Sequence, residues 1–444
     1  MIFYRCLCAF ELKNIMTLSG CRPKKSLWML IVMPVLFVGY EWVFAGNTWT
    51  PERLLAVPLF IVILLYFTKL NTSIFLTRNS LFLIVWMLVA FVASATSLVA
   101  GWSMKMYIAQ LLAILFYFMT LWLRPDLMRI FLSWPLIIFV WFIGPALATI
   151  YLISFYHQLP GFILHWFSET GGGTRLRATL PEPNLLAVLL ILVNLQVIAL
   201  GYTRRIWWWC LLVGLHLSLV FTFSRVPWVA YFITLMLYFV LIKPGHYSNA
   251  ILKRYILLLM VLSLALLMMG YLLYQEFGEH ELIGRVHSLK SRFVMWGLAY
   301  SSFLDSPIVG NGVYSLREIY PYASSMVASS WEPSSRDIWI SNLPLALLHD
   351  TGILGLIFFF AFFCRLIVRG FRSVRFLATR SCESSYLVRV GGGLVASGIG
   401  LFITGQTIPA HSLAFFWITM ALIECYTVNA YQFFEKNHFE TTMR

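Results

Sequence analysis

Runs of about 20 mainly apolar residues, each long enough to cross a bilayer as a helix, recur along most of this chain. They fall at 27–45, 53–68, 79–99, 105–123, 130–155, 184–201, 206–223, 226–243, 254–275, 343–367, 387–404 and 409–429. Backbone groups in lipid must bond internally, so a chain of this kind can only become a helical bundle. The runs predict an all-α integral membrane protein with about 12 transmembrane helices. Two long runs are divided on the strength of Ser224 to Pro227 and of Gly405 to Pro409, where proline and glycine favour a turn over one very long helix. Hydrophobic residues make up 60% of the chain and charged residues 11%. A soluble domain carries roughly 25% charged residues and could not bury this much apolar surface by itself.

The net charge of +14 does not point to nucleic acid, because the basic residues lie in short clusters between apolar runs. They set an orientation instead. With the amino terminus inside, 22 of the 32 Lys and Arg residues fall on the cytoplasmic side. The chain then divides into a cytoplasmic segment 1–26, a polytopic domain 27–429 and a cytoplasmic tail 430–444. Segments 156–182 and 276–342 become the two long exported loops. The first 25 residues lack the uninterrupted apolar stretch of a cleavable signal, and Met16 is an alternative start. The seven cysteines all fall in spans or on the cytoplasmic side, so no disulfide framework is expected.

Exported arginines run against the orientation rule and so draw notice. Arg175 and Arg177 precede the sixth span, Arg225 sits between spans seven and eight, and Arg285 and Arg292 lie in the large loop. Leu282, Val286, Leu289, Phe293 and Trp296 form an apolar stripe at helical spacing beside the last two, which predicts an amphipathic helix at the outer membrane surface. Lipid headgroups or nearby carboxylates could account for such cations. Arg225 stands alone between two apolar spans, where a charge needs a partner in the bundle or a ligand. Guanidinium groups fit phosphate oxygens bidentately, and a diphosphate at the membrane surface is the natural ligand.

Three further groups complete the candidate site. Thr179 and Glu182 have capping-box spacing ahead of the sixth span, and Glu182 is also a carboxylate beside a cationic segment, able to take a proton from a sugar hydroxyl. Asn184 follows it. Ser341 and Asn342 open the tenth span, with Ser341 as a candidate cap, and Gly352 and Gly355 within it fit close helix packing. His349 and Asp350 lie two turns in, and His411 just inside the last span; ionisable groups at such positions are pocket candidates. No metal-ligand or nucleotide-binding motif appears in the chain, so neither a metal site nor a cofactor is assigned.

Four stretches in one order resemble the O-antigen ligase/polymerase family of bacterial membrane glycosyltransferases. They are Arg177 to Asn184, Thr222 to Arg225, Arg292 to Trp296 followed by Pro307 to Gly312, and Asn342 with Gly352 and Gly355. The resemblance implies a C-type glycosyltransferase-like fold working on the periplasmic face. It implies inverting transfer of a glycan from an undecaprenyl diphosphate carrier, without metal or nucleotide sugar. Arg177, Arg225 and Arg292 would hold the diphosphate, with Arg175 and Arg285 in reserve. Donor and acceptor would both be lipid-linked oligosaccharides, with a chain-length regulator protein as a further partner.

One departure separates activities within the family. Its ligases carry a histidine base directly before the position of Asn342, where this chain has Ser341. A serine hydroxyl is too weak a base near neutral pH. His349, eight residues along a helix, is about 12 Å away and rotated. Glu182 then becomes the expected base, with Arg225 beside it. The expectation is a repeat-unit polymerase, against a ligase with another base or a non-enzymatic transporter of lipid-linked oligosaccharide.

Overall fold

The computed structural model describes residues 42–44, 47–49, 78–123, 167–170, 173–176, 183–200, 206–222, 224–242, 261, 292–323, 340–380, 385–407 and 410–442. Ten helices account for most of them. They are α1 (Arg78–Ala95), α2 (Ala100–Leu123), α3 (Pro183–Leu200), α4 (Ile206–Phe221) and α5 (Arg225–Leu241), then α6 (292–305), α7 (Leu316–Ala323), α8 (Leu343–Arg380), α9 (Ser385–Thr404) and α10 (Ala414–Thr442). The helical expectation holds for the fold class. Two short antiparallel hairpins are present, β1 (Trp42–Phe44) with β2 (Asn47–Trp49), and β3 (Phe167–Thr170) with β4 (Gly173–Leu176). A hairpin satisfies its backbone groups within a few residues, which suits short segments between helices.

Three helices are long and apolar enough to cross a bilayer: Ala100–Leu121, Leu343–Thr379 and Tyr386–Thr404. Five shorter apolar helices occupy the remaining expected spans among the described residues. Eight of the twelve expected runs therefore coincide with described helices. The runs at 27–45, 53–68, 130–155 and 254–275 lie almost wholly outside the described residues. Both doubtful divisions are real: α4 ends at Phe221 before α5 begins at Arg225, and α9 ends at Thr404 before α10 begins at Ala414.

The core is built from whole aromatic rings. Trp86 of α1 meets Phe359 of α8 edge-on at 5.3 Å and Trp417 of α10 at 5.9 Å, and all three are almost fully buried. Offset and edge contacts of this kind suit the ring quadrupoles and add to plain burial. Helix α9 packs against α3, α5, α8 and α10. Its glycines permit this: a Cβ on Gly391 would overlap the ring of Tyr426. Small residues at such crossings are how apolar helices approach closely in lipid.

Helix α8 is not continuous. At Gly352 the backbone turns to φ 64°, ψ −170°, a region open essentially to glycine. Helix packing is thus not the role of Gly352. A break frees carbonyls on one side and amides on the other, and one loop satisfies them. Asn311 and Gly312 donate their N–H groups to the carbonyls of His349 (2.8 Å) and Asp350 (3.0 Å). Ile353 and Leu354 donate theirs to the carbonyls of Pro307 (2.9 Å) and Ile308 (3.3 Å). Non-helical backbone is tolerated within a membrane helix only where protein meets it in this way.

The same loop continues onto α1 and α2. Val313 N–H donates to Ser94 Oγ (3.3 Å), and Trp102 Nε1–H donates to the Tyr314 carbonyl (3.1 Å). Arg317 and Lys105 both stand over the Trp102 ring, at 4.9 and 5.6 Å. Helix α6, which leads into the loop, shows two faces. Met295, Leu298 and Ala299 are buried, while Phe293, Tyr300 and Leu304 are exposed. Of the stripe expected over 282–296, only Phe293 and Trp296 lie among the described residues, and they touch edge-on at 5.3 Å.

Candidate functional site

The structure joins two of the sequence stretches through a single hydrogen bond. Ser224 Oγ–H donates to Asn184 Oδ1 at 2.8 Å, tying the turn between α4 and α5 to the first turn of α3. The turn is braced again by Trp228, whose Nε1–H donates to the Leu219 carbonyl at 2.8 Å. Arg225 therefore opens α5 immediately beside the α3 terminus. Its side chain is exposed, so it is not the membrane-buried charge that its position between apolar spans implied.

Hairpin β3–β4 approaches the same helices. β4 packs against α3 and α4, with Leu176 fully buried and Arg175 one residue before it, opposite Ser168. Only six residues, 177–182, separate β4 from α3. Arg177 and Glu182 belong to this connection and lie outside the described residues, as does Arg285. Thr179, the other half of the capping-box pair, also lies outside the described residues, and α3 is described from Pro183. Proline is tolerated in the first turn of a helix. Arg292 opens α6 and is half-buried.

A second cluster forms at the head of α8. Asn342, not Ser341, caps the helix: its Oδ1 accepts the Leu345 N–H at 3.0 Å. Asparagine ranks with the best residues for this task. Among the described residues, the buried Ser341 hydroxyl has no hydrogen-bond partner. His349 is fully buried, and its Nδ1 lies 2.8 Å from Asp350 Oδ1. A carboxylate acceptor puts a ring proton on Nδ1, and Nε2 has no partner among the described residues. His411 stands in a short turn (Ala410–Ser412) ahead of α10, rather than inside the last span. Burial holds its pKa down at about 4, against the opposing pull of the Asp350 charge. Asp350 thus bonds His349 and acts on His411 through its charge.

Chemically, the first cluster offers an exposed guanidinium beside a polar helix start, an arrangement able to grip an anionic oxygen. The second offers a buried carboxylate bonded to one imidazole and acting on another through its charge.

Two buried polar groups escaped the sequence reading. Glu424, in α10, accepts hydrogen bonds on Oε2 from Tyr117 Oη–H (2.8 Å) and Asn79 Nδ2–H (3.1 Å). Its Oε1 lies 3.7 Å from the Arg369 guanidinium. As the lone acid of the last apolar run it was the very signal that marks intramembrane ionisable groups. His216 of α4 donates from Nδ1 to the Leu212 carbonyl (2.6 Å) and accepts at Nε2 from Tyr231 of α5 (2.7 Å). Both groups tie helices together.

Residues 209–360, a third of the chain, match the family model described as O-antigen ligase. The matched stretch holds Ser224, Arg225, Arg292, the 307–312 loop and the broken head of α8. No curated protein matches the chain. The family match, on a helical protein with membrane-spanning helices, supports the O-antigen ligase/polymerase family, whose members are glycosyltransferase-like enzymes of O-antigen and lipopolysaccharide biosynthesis.

Proposed function

We propose that the chain is a repeat-unit polymerase acting on the exported face of the bacterial inner membrane. It joins oligosaccharides carried on undecaprenyl diphosphate. The acceptor hydroxyl oxygen attacks the anomeric carbon of the donor glycan. The bond from that carbon to the diphosphate oxygen breaks, the configuration inverts, and the hydroxyl proton passes to the Glu182 carboxylate. Arg177, Arg225 and Arg292 hold the diphosphate, with Arg175 and Arg285 beside them. Neutralising charge on a leaving diphosphate is electrostatic work of the kind that dominates many active sites.

The observation that carries this reading is the Ser224–Asn184 hydrogen bond. It ties the turn bearing Arg225 to the helix that follows Glu182 in the chain, which supports a common site for the two. Ser341 supports polymerase over ligase, since among the described residues its buried hydroxyl has no hydrogen-bond partner. The ligase reading is the alternative, and the description of the matching family favours it. A strain lacking the gene separates the two on a lipopolysaccharide or capsule gel. Loss of a polymerase leaves core with at most one repeat unit; loss of a ligase leaves bare core and polymer on its carrier. Arg225→Ala and Glu182→Gln are expected to fail to restore long chains although they reach the membrane, and normal ladders from both would remove the assignment.

A further inference from the structure

The end of α8 away from its break carries a feature that the transfer reaction does not use. The apolar run that opens α8 ends at about residue 367, so the residues after it lie at headgroup level or past it. Between 365 and 380 the helix bears five arginines and no acid. Arg369 is matched by Glu424. Arg372 and Arg375 are exposed, and Arg372 has no ion-pair partner among the described residues. The Arg375 guanidinium is held 4.4 Å from the centre of the Phe371 ring.

These two guanidiniums share one open face of α8 with Ile367, Val368, Phe371 and Phe376. Two neighbouring donor forks beside an apolar patch match one kind of molecule: a phosphate ester with acyl chains attached. Water gains nothing from the patch, and a soluble anion would leave it bare. We infer that this face of α8 is a binding site for an anionic phospholipid, its phosphate against Arg372 and Arg375 and its glycerol and upper acyl carbons on Val368 and Phe371. Clustered basic residues at a span end are the general means by which proteins select anionic lipid. The inference is independent of the glycan reaction and stands or falls separately from it.

The test uses the full chain purified in a nonionic detergent and offered equal amounts of dioleoyl phosphatidylglycerol and dioleoyl phosphatidylcholine. Retained lipid is counted by native mass spectrometry. The native chain is expected to keep phosphatidylglycerol preferentially. The Arg372→Gln/Arg375→Gln pair, on exposed positions, is expected to lose that preference roughly thirty-fold, each basic residue being worth about a factor of five. The Arg372→Lys/Arg375→Lys pair should keep most of it, which separates charge from misfolding. Equal retention of the two lipids by the native chain, or undiminished preference in the Gln pair, overturns the proposal. Displacement of phosphatidylglycerol by millimolar inorganic phosphate also overturns it, because the site would then serve a free anion.

Discussion

Gly310 and Gly352 meet backbone to backbone: a Cβ built on Gly310 would stand 2.5 Å from the Gly352 amide nitrogen, and one on Gly352 would overlap the Ile308 carbonyl. Both residues also have positive φ, 86° and 64°. The broken head of α8 and the loop after α6 are thus one unit, and His349 and Asp350 stand where that unit is pinned.

Alanine at either glycine must relieve a clash with backbone and adopt a strained φ together. The expected cost exceeds about 3 kcal/mol. Gly310→Ala and Gly352→Ala should each lower the melting temperature sharply in detergent. Gly297 of α6 is the contrast, because a Cβ there meets nothing within 4 Å. Gly297→Ala should hold or raise stability by up to about 1 kcal/mol through helix propensity.

The Ser224–Asn184 bond needs only an acceptor at position 184. Asn184→Asp keeps one and is expected to retain polymer formation, whereas Asn184→Leu and Ser224→Ala should each reduce it. The coupling between the two sites should be about 1 kcal/mol, read from a double-mutant cycle on initial rates. Fully additive losses would show that the bond does not position the site.

Glu424 is buried, while its ion-pair partner Arg369 is partly exposed, so the acid is held mainly by the buried Tyr117 and Asn79 donors. Glu424→Leu orphans both donors and is expected to cost about 2–5 kcal/mol. Glu424→Gln, which keeps an acceptor for them, should cost less. Thermal unfolding of the two variants compares the losses, and equal losses contradict this role for Glu424.

His411 sets a pH dependence. Its folded pKa of about 4 lies below the unfolded value near 6.5. The stability that this burial contributes is therefore complete above pH 6.5 and is lost as pH falls toward 4, where the unfolded chain takes the proton first. His411→Phe should flatten that part of the acid unfolding curve, measured against the native chain between pH 7 and 4.

Much of the fold was legible because apolar length and proline or glycine punctuation act locally. Both turns that divide the longest runs, at Ser224–Arg225 and after Thr404, were placed from these signals alone. The break at Gly352 was not, because a glycine in an apolar run looks the same whether it serves packing or a non-helical turn. What decides is the 307–312 loop, 40 residues away. Asn342 over Ser341 as the cap was likewise a matter of where the helix starts, which side-chain type does not fix. Glu424 was missed although a lone acid in an apolar span was signal enough. For the site, residue type pointed to Asn184, Arg225 and Asp350. That Ser224 bonds Asn184 follows from a tertiary contact which no spacing records.

The most direct test of the central claim is the reaction itself: the purified chain in lipid, given undecaprenyl diphosphate-linked repeat units and no nucleotide, with products resolved by length. The account predicts lengthened glycan on the carrier, with one undecaprenyl diphosphate released per bond formed, and neither product from Arg225→Ala. No lengthening by the native chain, together with glycan transfer only when a core acceptor is added, would contradict it and make the protein a ligase.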